Sequence, residues 1–387
     1  MKIAIDARLY GLENTGIGRY TMGLIRGLAR GDNKNTFFIL LREKYFRELK
    51  LPANWEKVRA EFKHYSFAEQ YKLPRLLKSL RVNLAHFVHF NVPVFYKEPY
   101  VVTVHDLLMH RQKGLDATTL PAPIYFLKRM GYKYVFAASV RNSAKIIVPS
   151  KAVREEIKNY YKIPEEKLVV TYEGVDAFRE TAEDENVLKK YKLNKGEYFI
   201  YTGNAYPHKN LERAIEATVL LNRRSEKRYL FVIVCARNVF VERLEKTISR
   251  LKASEFVRNL GFIEDSELGA LYKNSLAFVY PTLSEGFGLP GLEAILSGSM
   301  PIVSEIPVLK ETYKDNALYF NPYDFSSIEK AMEDVLSMNT QTRTSFINKA
   351  QEFAKGYTWD KMAKETLKVY EDCARLRQGK QMGWGRA

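Results

Sequence analysis

Cysteine is almost absent from this chain of 387 residues. Only Cys235 and Cys373 occur, and neither sits in a C-x-x-C pair, so neither a disulfide framework nor a cysteine-rich zinc site is expected. A reducing cytoplasm fits that composition. Long apolar runs are missing too. None approaches the ~20 residues that would cross a bilayer. The opening Met1-Lys2-Ile3-Ala4-Ile5-Asp6 reads directly as a first strand and not as a signal peptide. No short-period repeat is visible, and no convincing enzymic nucleophile stands out. Acidic residues are the scarcer charge, 45 against 61 lysines and arginines, for a net formal charge of +16.

That excess is uneven. Residues 1–180 carry 31 basic against 18 acidic residues, whereas residues 181–387 carry 30 against 27. A basic half of this size implies an acidic partner: nucleic acid, an anionic membrane or an anionic substrate. The length is natural for two domains. Short β-branched or aromatic runs alternate with helical patterns from end to end, the signature of parallel βα units. Candidate strands in the first half are Lys2–Asp6, Thr36–Leu41, Leu84–His86, Tyr100–Thr103 and Lys145–Val148. In the second half they are Tyr198–Thr202, Tyr229–Val234, Phe256–Asn259, Leu276–Val279 and Met300–Val303. The expected class is α/β with two doubly wound halves. The division runs 1–176, 177–357 and a last helical segment 358–387, in which Thr358 or Asp360 caps a helix to Leu376 and Gln378–Ala387 forms a frayed tail.

The most informative run is Ser284-Glu285-Gly286-Phe287-Gly288-Leu289-Pro290-Gly291-Leu292-Glu293. It places two glutamates eight positions apart across a glycine-rich loop. A buried strand, Ala277–Pro281, precedes it, and Leu292–Ser297 reads as the start of a helix. Strand, glycine loop, helix is an order that points backbone N–H groups at a diphosphate. At that spacing one carboxylate can reach a sugar beside the diphosphate and the other a ribose on its far side.

This run resembles the donor signature of retaining glycosyltransferases of family 4, which have the GT-B fold: two Rossmann-like domains facing a central cleft. The likeness extends over nearly the whole chain and assigns roles as expectations. Glu285 touches the donor sugar, Glu293 holds the ribose hydroxyls, and the amides of Gly286, Phe287, Gly288 and Leu289 bind the diphosphate. The stretch Tyr201-Thr202-Gly203-Asn204-Ala205-Tyr206-Pro207-His208-Lys209-Asn210 resembles the family's second phosphate element. Lys209 matches its lysine. Asn204 stands where many members carry arginine, so Lys209 is left with most of the charge neutralisation. Gly261 and Phe262, in Asn259-Leu260-Gly261-Phe262-Ile263, match the segment around the nucleotide base.

In the first half, Thr15-Gly16-Ile17-Gly18-Arg19-Tyr20 matches the family's cleft-facing glycine loop through Gly16 and Gly18, although it lacks the third glycine of a dinucleotide fingerprint. His105, at a strand end in Val104-His105-Asp106, matches the family's cleft histidine, which contacts the donor sugar. Asp106 either orients that ring or caps the next helix. His86, His89 and His110 read as structural. Ser150 reads as a helix cap. The segment Leu115–Val140 interleaves aromatics with Lys128, Arg129 and Lys133, a pattern compatible with a membrane surface or with a core-facing helix.

The resemblance implies transfer of a hexose from a nucleotide-sugar donor with retention of configuration. It implies no separate cofactor and no metal ligand set, for no Asp-x-Asp motif stands in a suitable place. The G-N-x-x-P-x-K-N run resembles bacterial mannosyltransferases, implying GDP-mannose; UDP-glucose and UDP-N-acetylglucosamine are the alternatives. The implied acceptor is a glycan or lipid-linked glycan. A cytoplasmic location follows, with the possibility of peripheral attachment to the inner membrane face. A GT-B epimerase or phosphorylase would share the fold, and a basic nucleic-acid-binding protein would share the charge. The glutamate pair argues against the latter, and no nucleic-acid partner is expected.

Overall fold

A computed structural model describes residues 1–111, 121–178, 184–235 and 239–383. The chain forms two compact units: Met1–Gly174 together with Tyr357–Ala387, and Val175–Gly356.

The first unit is built on seven strands: β1 (Lys2–Asp6), β2 (Thr36–Leu41), β3 (Glu56–Arg59), β4 (Leu84–Phe87), β5 (Tyr100–Thr103), β6 (Lys145–Val148) and β7 (Leu168–Val170). They lie in the order β3-β2-β1-β4-β5-β6-β7, all parallel. Helices cover a parallel sheet on both faces, so central strands are apolar throughout instead of alternating. The run Thr36-Phe37-Phe38-Ile39-Leu40-Leu41 meets that requirement, and its last five residues are buried. The order reverses between β1 and β4, and ligands of open α/β sheets gather beyond the carboxyl ends of strands at such a point.

The helix Trp359–Gly383 closes this unit by packing on the helix Thr15–Gly31. Two glycines one turn apart allow the contact. A Cβ on Gly23 would stand 2.2 Å from Trp359 ring carbons, and one on Gly27 would stand 2.7 Å from the Ala363 Cβ. The Thr358 hydroxyl accepts the Lys361 amide at 3.2 Å and caps the helix, while Asp360 pairs with Arg30.

The second unit carries six parallel strands: β8 (Tyr198–Thr202), β9 (Leu230–Val234), β10 (Val257–Asn259), β11 (Phe278–Tyr280), β12 (Pro301–Ser304) and β13 (Leu318–Phe320). Their order is β10-β9-β8-β11-β12-β13, with the reversal between β8 and β11. The loops after those two strands hold the two motifs that sequence reasoning ranked highest.

Four features differ from expectation. Strands β3, β7 and β13 are not among the expected ones; all three lie at sheet edges, and β7 and β13 are only three residues long. Edge strands need no continuous apolar run, and Glu56-Lys57-Val58-Arg59 has none. The helix after the glycine loop begins at Leu289, three residues earlier than expected, and spans Leu289–Leu296. Pro290 occupies its first turn, where a missing N–H costs nothing. The last helix does not fray at Gln378 but continues to Gly383. Finally, Gly16 and Gly18 lie inside the helix Thr15–Gly31, not in a loop that enters it. Of the Leu115–Val140 segment, residues 115–120 fall outside the described residues, and the rest lies mainly in the helix Ala122–Asn142.

Candidate active site

In the second unit the two loops at the strand reversal are tied to one another. After β8 the chain runs through Gly203, which adopts φ +145°, and Asn204 to a single helical turn, Pro207–Lys209. Asn210 then takes a left-handed conformation and leads into the helix Leu211–Arg224. The buried Asn210 side chain donates to the Pro281 carbonyl at 2.9 Å and the Pro322 carbonyl at 2.8 Å. The Leu283 amide donates to the His208 carbonyl at 2.7 Å. These bonds fix the spacing between the loops.

Across that join, Lys209 Nζ donates to Glu285 Oε1 at 2.5 Å. Both side chains are nearly buried, at 11% and 13% exposure. Burial alone would push the Glu285 carboxyl up. The Lys209 ammonium, with help from His208 and Thr282, outweighs it and holds the carboxyl below its usual value. His208 is pushed down to about 4 by burial and by the neighbouring lysine, and so stays neutral near pH 7. Lys209 Nζ also lies 5.4 Å from the centre of the Tyr280 ring. An ammonium has three donors, so a grip on Glu285 does not exhaust this one.

Buried tyrosines support the loops from beneath. The Tyr201 hydroxyl donates to the Asn204 carbonyl at 2.7 Å, and the Tyr313 hydroxyl donates to the Gly288 carbonyl. Gly288, at φ +104°, lies so close to that hydroxyl that a Cβ would approach it to 2.7 Å. Burial, and then the Glu285 charge, raises the pKa of both tyrosines and of Tyr280. The Thr312 hydroxyl donates to the Phe287 carbonyl at 2.8 Å. Leu289 opens the helix, Gly286 is partly exposed, and Glu293 is buried one turn in. Asn204 accepts the Tyr206 amide at 3.3 Å through Oδ1, so it folds its own loop. Gly261, at φ +75°, donates its amide to the Asn259 side chain, and Phe262 is 71% exposed.

In the first unit His105 follows β5. Its Nδ1 faces Glu173 Oε1 at 3.1 Å and its Nε2 faces the Val88 carbonyl oxygen at 3.1 Å. Asp106 accepts the Leu108 amide at 2.9 Å, just ahead of the short helix Leu108–Arg111. A Cβ on Gly18 would collide with the Gly11 carbonyl oxygen at 1.9 Å, so that glycine serves internal packing. Gly16 meets nothing within 4 Å. His86 and His110 are buried and hydrogen-bonded to tyrosines. Burial pushes His86 and His89 down to about 3. Ser150 caps its helix by accepting the Val153 amide.

Sequence reasoning did not single out Glu173, which lies just before the division expected after residue 176. It also passed over the cluster at the end of β1. There the buried Arg8 reaches Asp6 at 2.6 Å and Glu69 at 2.7 Å. The signal available was an arginine two residues past an apolar strand. Among the described residues, no group of three or more histidines, cysteines or carboxylates is placed to hold a metal ion.

The chain matches two family models in tandem: Glycosyltransferase Family 4 over residues 14–179 and Glycosyl transferases group 1 over residues 183–353. The chain belongs to the family 4 glycosyltransferases, with the GT-B fold. This glycosyltransferase is 27% identical over 298 residues to the O-antigen chain mannosyltransferase RfbU of Salmonella typhimurium, covering 77% of the present chain and 76% of that one. It is 26% identical over 380 residues to O-antigen chain mannosyltransferase B of Escherichia coli, covering 96% and 100%. Among solved structures it resembles Anabaena HepE in complex with UDP and glucose, with a TM-score of 0.71 at 16% identity over 96% of this chain and all of that one.

Proposed function

We propose that this glycosyltransferase moves mannose from GDP-mannose to a glycan or lipid-linked glycan acceptor, retaining the anomeric configuration and using no metal ion. The observation that carries the reading is the Lys209–Glu285 pair beside the amino terminus of the helix Leu289–Leu296. As the sugar–phosphate bond breaks, negative charge collects on the leaving diphosphate. A preorganised ammonium and helix-terminal amides stabilise that charge where water is excluded. Glu285, held ionised by Lys209, faces the positive charge that develops on the sugar. Glu293 holds the ribose. Mannose as the sugar is supported by the names of the O-antigen relatives. A UDP-sugar is the second reading, supported by the UDP and glucose bound to the structurally similar Anabaena protein.

The basic first unit offers a reason for a lipid-linked acceptor. On the helix Ala122–Asn142, Leu127, Met130 and Tyr134 form an exposed apolar stripe at helical spacing, each between 67% and 72% exposed. Lys128 and Lys133 flank it. An apolar stripe edged by lysines suits an anionic bilayer surface. No described helix is long and apolar enough to cross a membrane.

The test incubates the protein with GDP-mannose, UDP-glucose or UDP-N-acetylglucosamine, with and without an acceptor glycan, and follows products and thermal stabilisation. The expected result is stabilisation by GDP-mannose and acceptor-dependent release of GDP. Stabilisation by a UDP-sugar alone would overturn the donor. An altered sugar nucleotide formed without acceptor would replace the transferase with an epimerase. Salt-sensitive binding to many oligonucleotide sequences without any sugar-nucleotide effect would favour the nucleic-acid reading.

A further inference from the structure

Three loops of the first unit converge on one imidazole. Val88 follows β4, His105 follows β5, and Glu173 follows β7, so all three lie at the carboxyl edge of the sheet. Both ring nitrogens of His105 face oxygens at 3.1 Å, one in the Glu173 carboxylate and one in the Val88 main chain. A carbonyl and an ionised carboxylate accept hydrogen bonds and cannot donate them, and a neutral imidazole has a single N–H. With Glu173 as the carboxylate, two bonds of this kind require two ring protons.

The surroundings agree. Glu173 is buried and His105 nearly so. The other groups around the ring are Tyr20 from the helix Thr15–Gly31, whose ring meets it edge-on at 4.8 Å, the neutral His86 and His89 from β4 and its loop, and the adjacent Asp106. Burial by itself would strip the second proton. The Glu173 hydrogen bond and charge, followed by Val88 and Asp106, outweigh burial and raise the His105 pKa above its usual value.

We infer that Glu173 is a positioning residue that keeps His105 as a doubly protonated imidazolium, which staples the loops after β4, β5 and β7 together. Both ring protons are then spent within the unit. What His105 presents to a ligand at this edge is a fixed positive charge and not a free N–H. The contribution of this charged pair to folding has a definite sign. It is complete below the unfolded histidine value of about 6.5 and is lost as pH rises through the higher folded value. Any effect on turnover rests on the transferase reading above, whereas the proton count does not.

The experiment is a 15N-histidine two-bond correlation spectrum of the full chain without donor, recorded from pH 6 to 9. The His105 signal is assigned by its loss in His105→Gln, or by sequential assignment if that variant does not fold. The expected result is two protonated ring nitrogens on His105 at pH 7. In Glu173→Gln the ring should lose a proton at lower pH, by about one unit or more, a tenfold change in the ratio of protonated to deprotonated ring. Glu173→Asp should restore part of the difference. The alkaline limb of kcat should move with the ring in each variant, with the affinity for GDP unchanged. A single protonated nitrogen in the wild type at pH 7 overturns the inference, as does a titration indifferent to Glu173→Gln. A kcat profile that ignores a shifted ring overturns its role in turnover. The spectrum decides the proton count even if GDP-mannose is not the donor.

Discussion

Each unit holds a nearly buried cation–carboxylate pair at the carboxyl edge of its sheet, and the two pairs differ in cation and in placement. Lys209–Glu285 joins the loops of β8 and β11, the strands on either side of the reversal. His105–Glu173 joins the loops of β5 and β7, away from it. A lysine ammonium keeps its charge well above neutral pH, whereas a histidine switches close to it. The second unit sets a lysine against its carboxylate at the strand reversal, where a diphosphate is expected. The first carries a charge that depends on its carboxylate partner. The two sheets share a plan, and the choice of cation assigns them different sensitivities.

The largest effect expected from breaking this comparison is on chemistry in the second unit. Lys209→Ala should lower kcat by about 10²–10³, the range for losing one preorganised charge-stabilising group. The alkaline limb of turnover in that variant should match the wild type, since the His105–Glu173 pair lies in the other unit, whereas the acid limb should move to higher pH because burial of the Glu285 carboxyl is then less opposed. Steady-state kinetics between pH 6 and 9 check both statements, and a near-normal kcat would remove Lys209 from the site.

Glu293→Ala should act on binding more than on turnover. A ribose held equally in ground and transition states is uniform binding. Loss of a hydrogen bond to a charged group, about 1.5–3 kcal/mol, corresponds to a rise of roughly 10- to 100-fold in the donor Kd. Calorimetry with GDP reads it directly, and an unchanged Kd would reassign the residue to packing.

In the first unit, the Arg8 cluster sharpens the contrast through acid instead of alkali. Burial would raise the Asp6 and Glu69 carboxyls, but Arg8 and His64 outweigh it and hold both below their usual values. Their contribution to folding is present above the unfolded carboxylate range, about 3.9–4.3, and is lost as pH falls through the depressed folded values. Melting temperatures taken from pH 7 to pH 3 should drop, and Arg8→Met should drop already at pH 7 because it leaves two buried carboxylates without the arginine. A variant as stable as the wild type would show that the cluster is dispensable.

Asn204→Ala should cost less than Lys209→Ala, about two- to tenfold, because a neutral hydrogen bond contributes about 0.5–1.5 kcal/mol. A larger loss than for Lys209→Ala would reverse the ranking. Excess EDTA should leave initial rates unchanged. Activity lost to EDTA and restored by magnesium would show that a metal, and not Lys209, neutralises the diphosphate.

Central strands were legible in the sequence, and of the four edge strands only β10 was. Strands such as Thr36–Leu41 and Tyr198–Thr202 announce themselves because burial on both faces demands unbroken apolar runs. Glu56–Arg59 does not, because at an edge the backbone pairs on one side only. Lys209 and Glu285 were each legible from their glycine-rich surroundings, but their mutual contact spans 76 residues and depends on how two loops are tied by Asn210. Glu173 was invisible for a related reason. A lone acid after a half-buried edge strand reads as a domain boundary until the fold brings His105 to it.

The most direct measurement is a double-mutant cycle of Lys209→Ala and Glu285→Gln, reading kcat and GDP affinity, with melting temperatures to establish that each variant is folded. If the pair acts as one unit on the leaving diphosphate and the sugar, the double variant should be scarcely worse than Lys209→Ala alone, and the coupling should be large in kcat. Strictly additive losses, or wild-type turnover in either single variant, would contradict it.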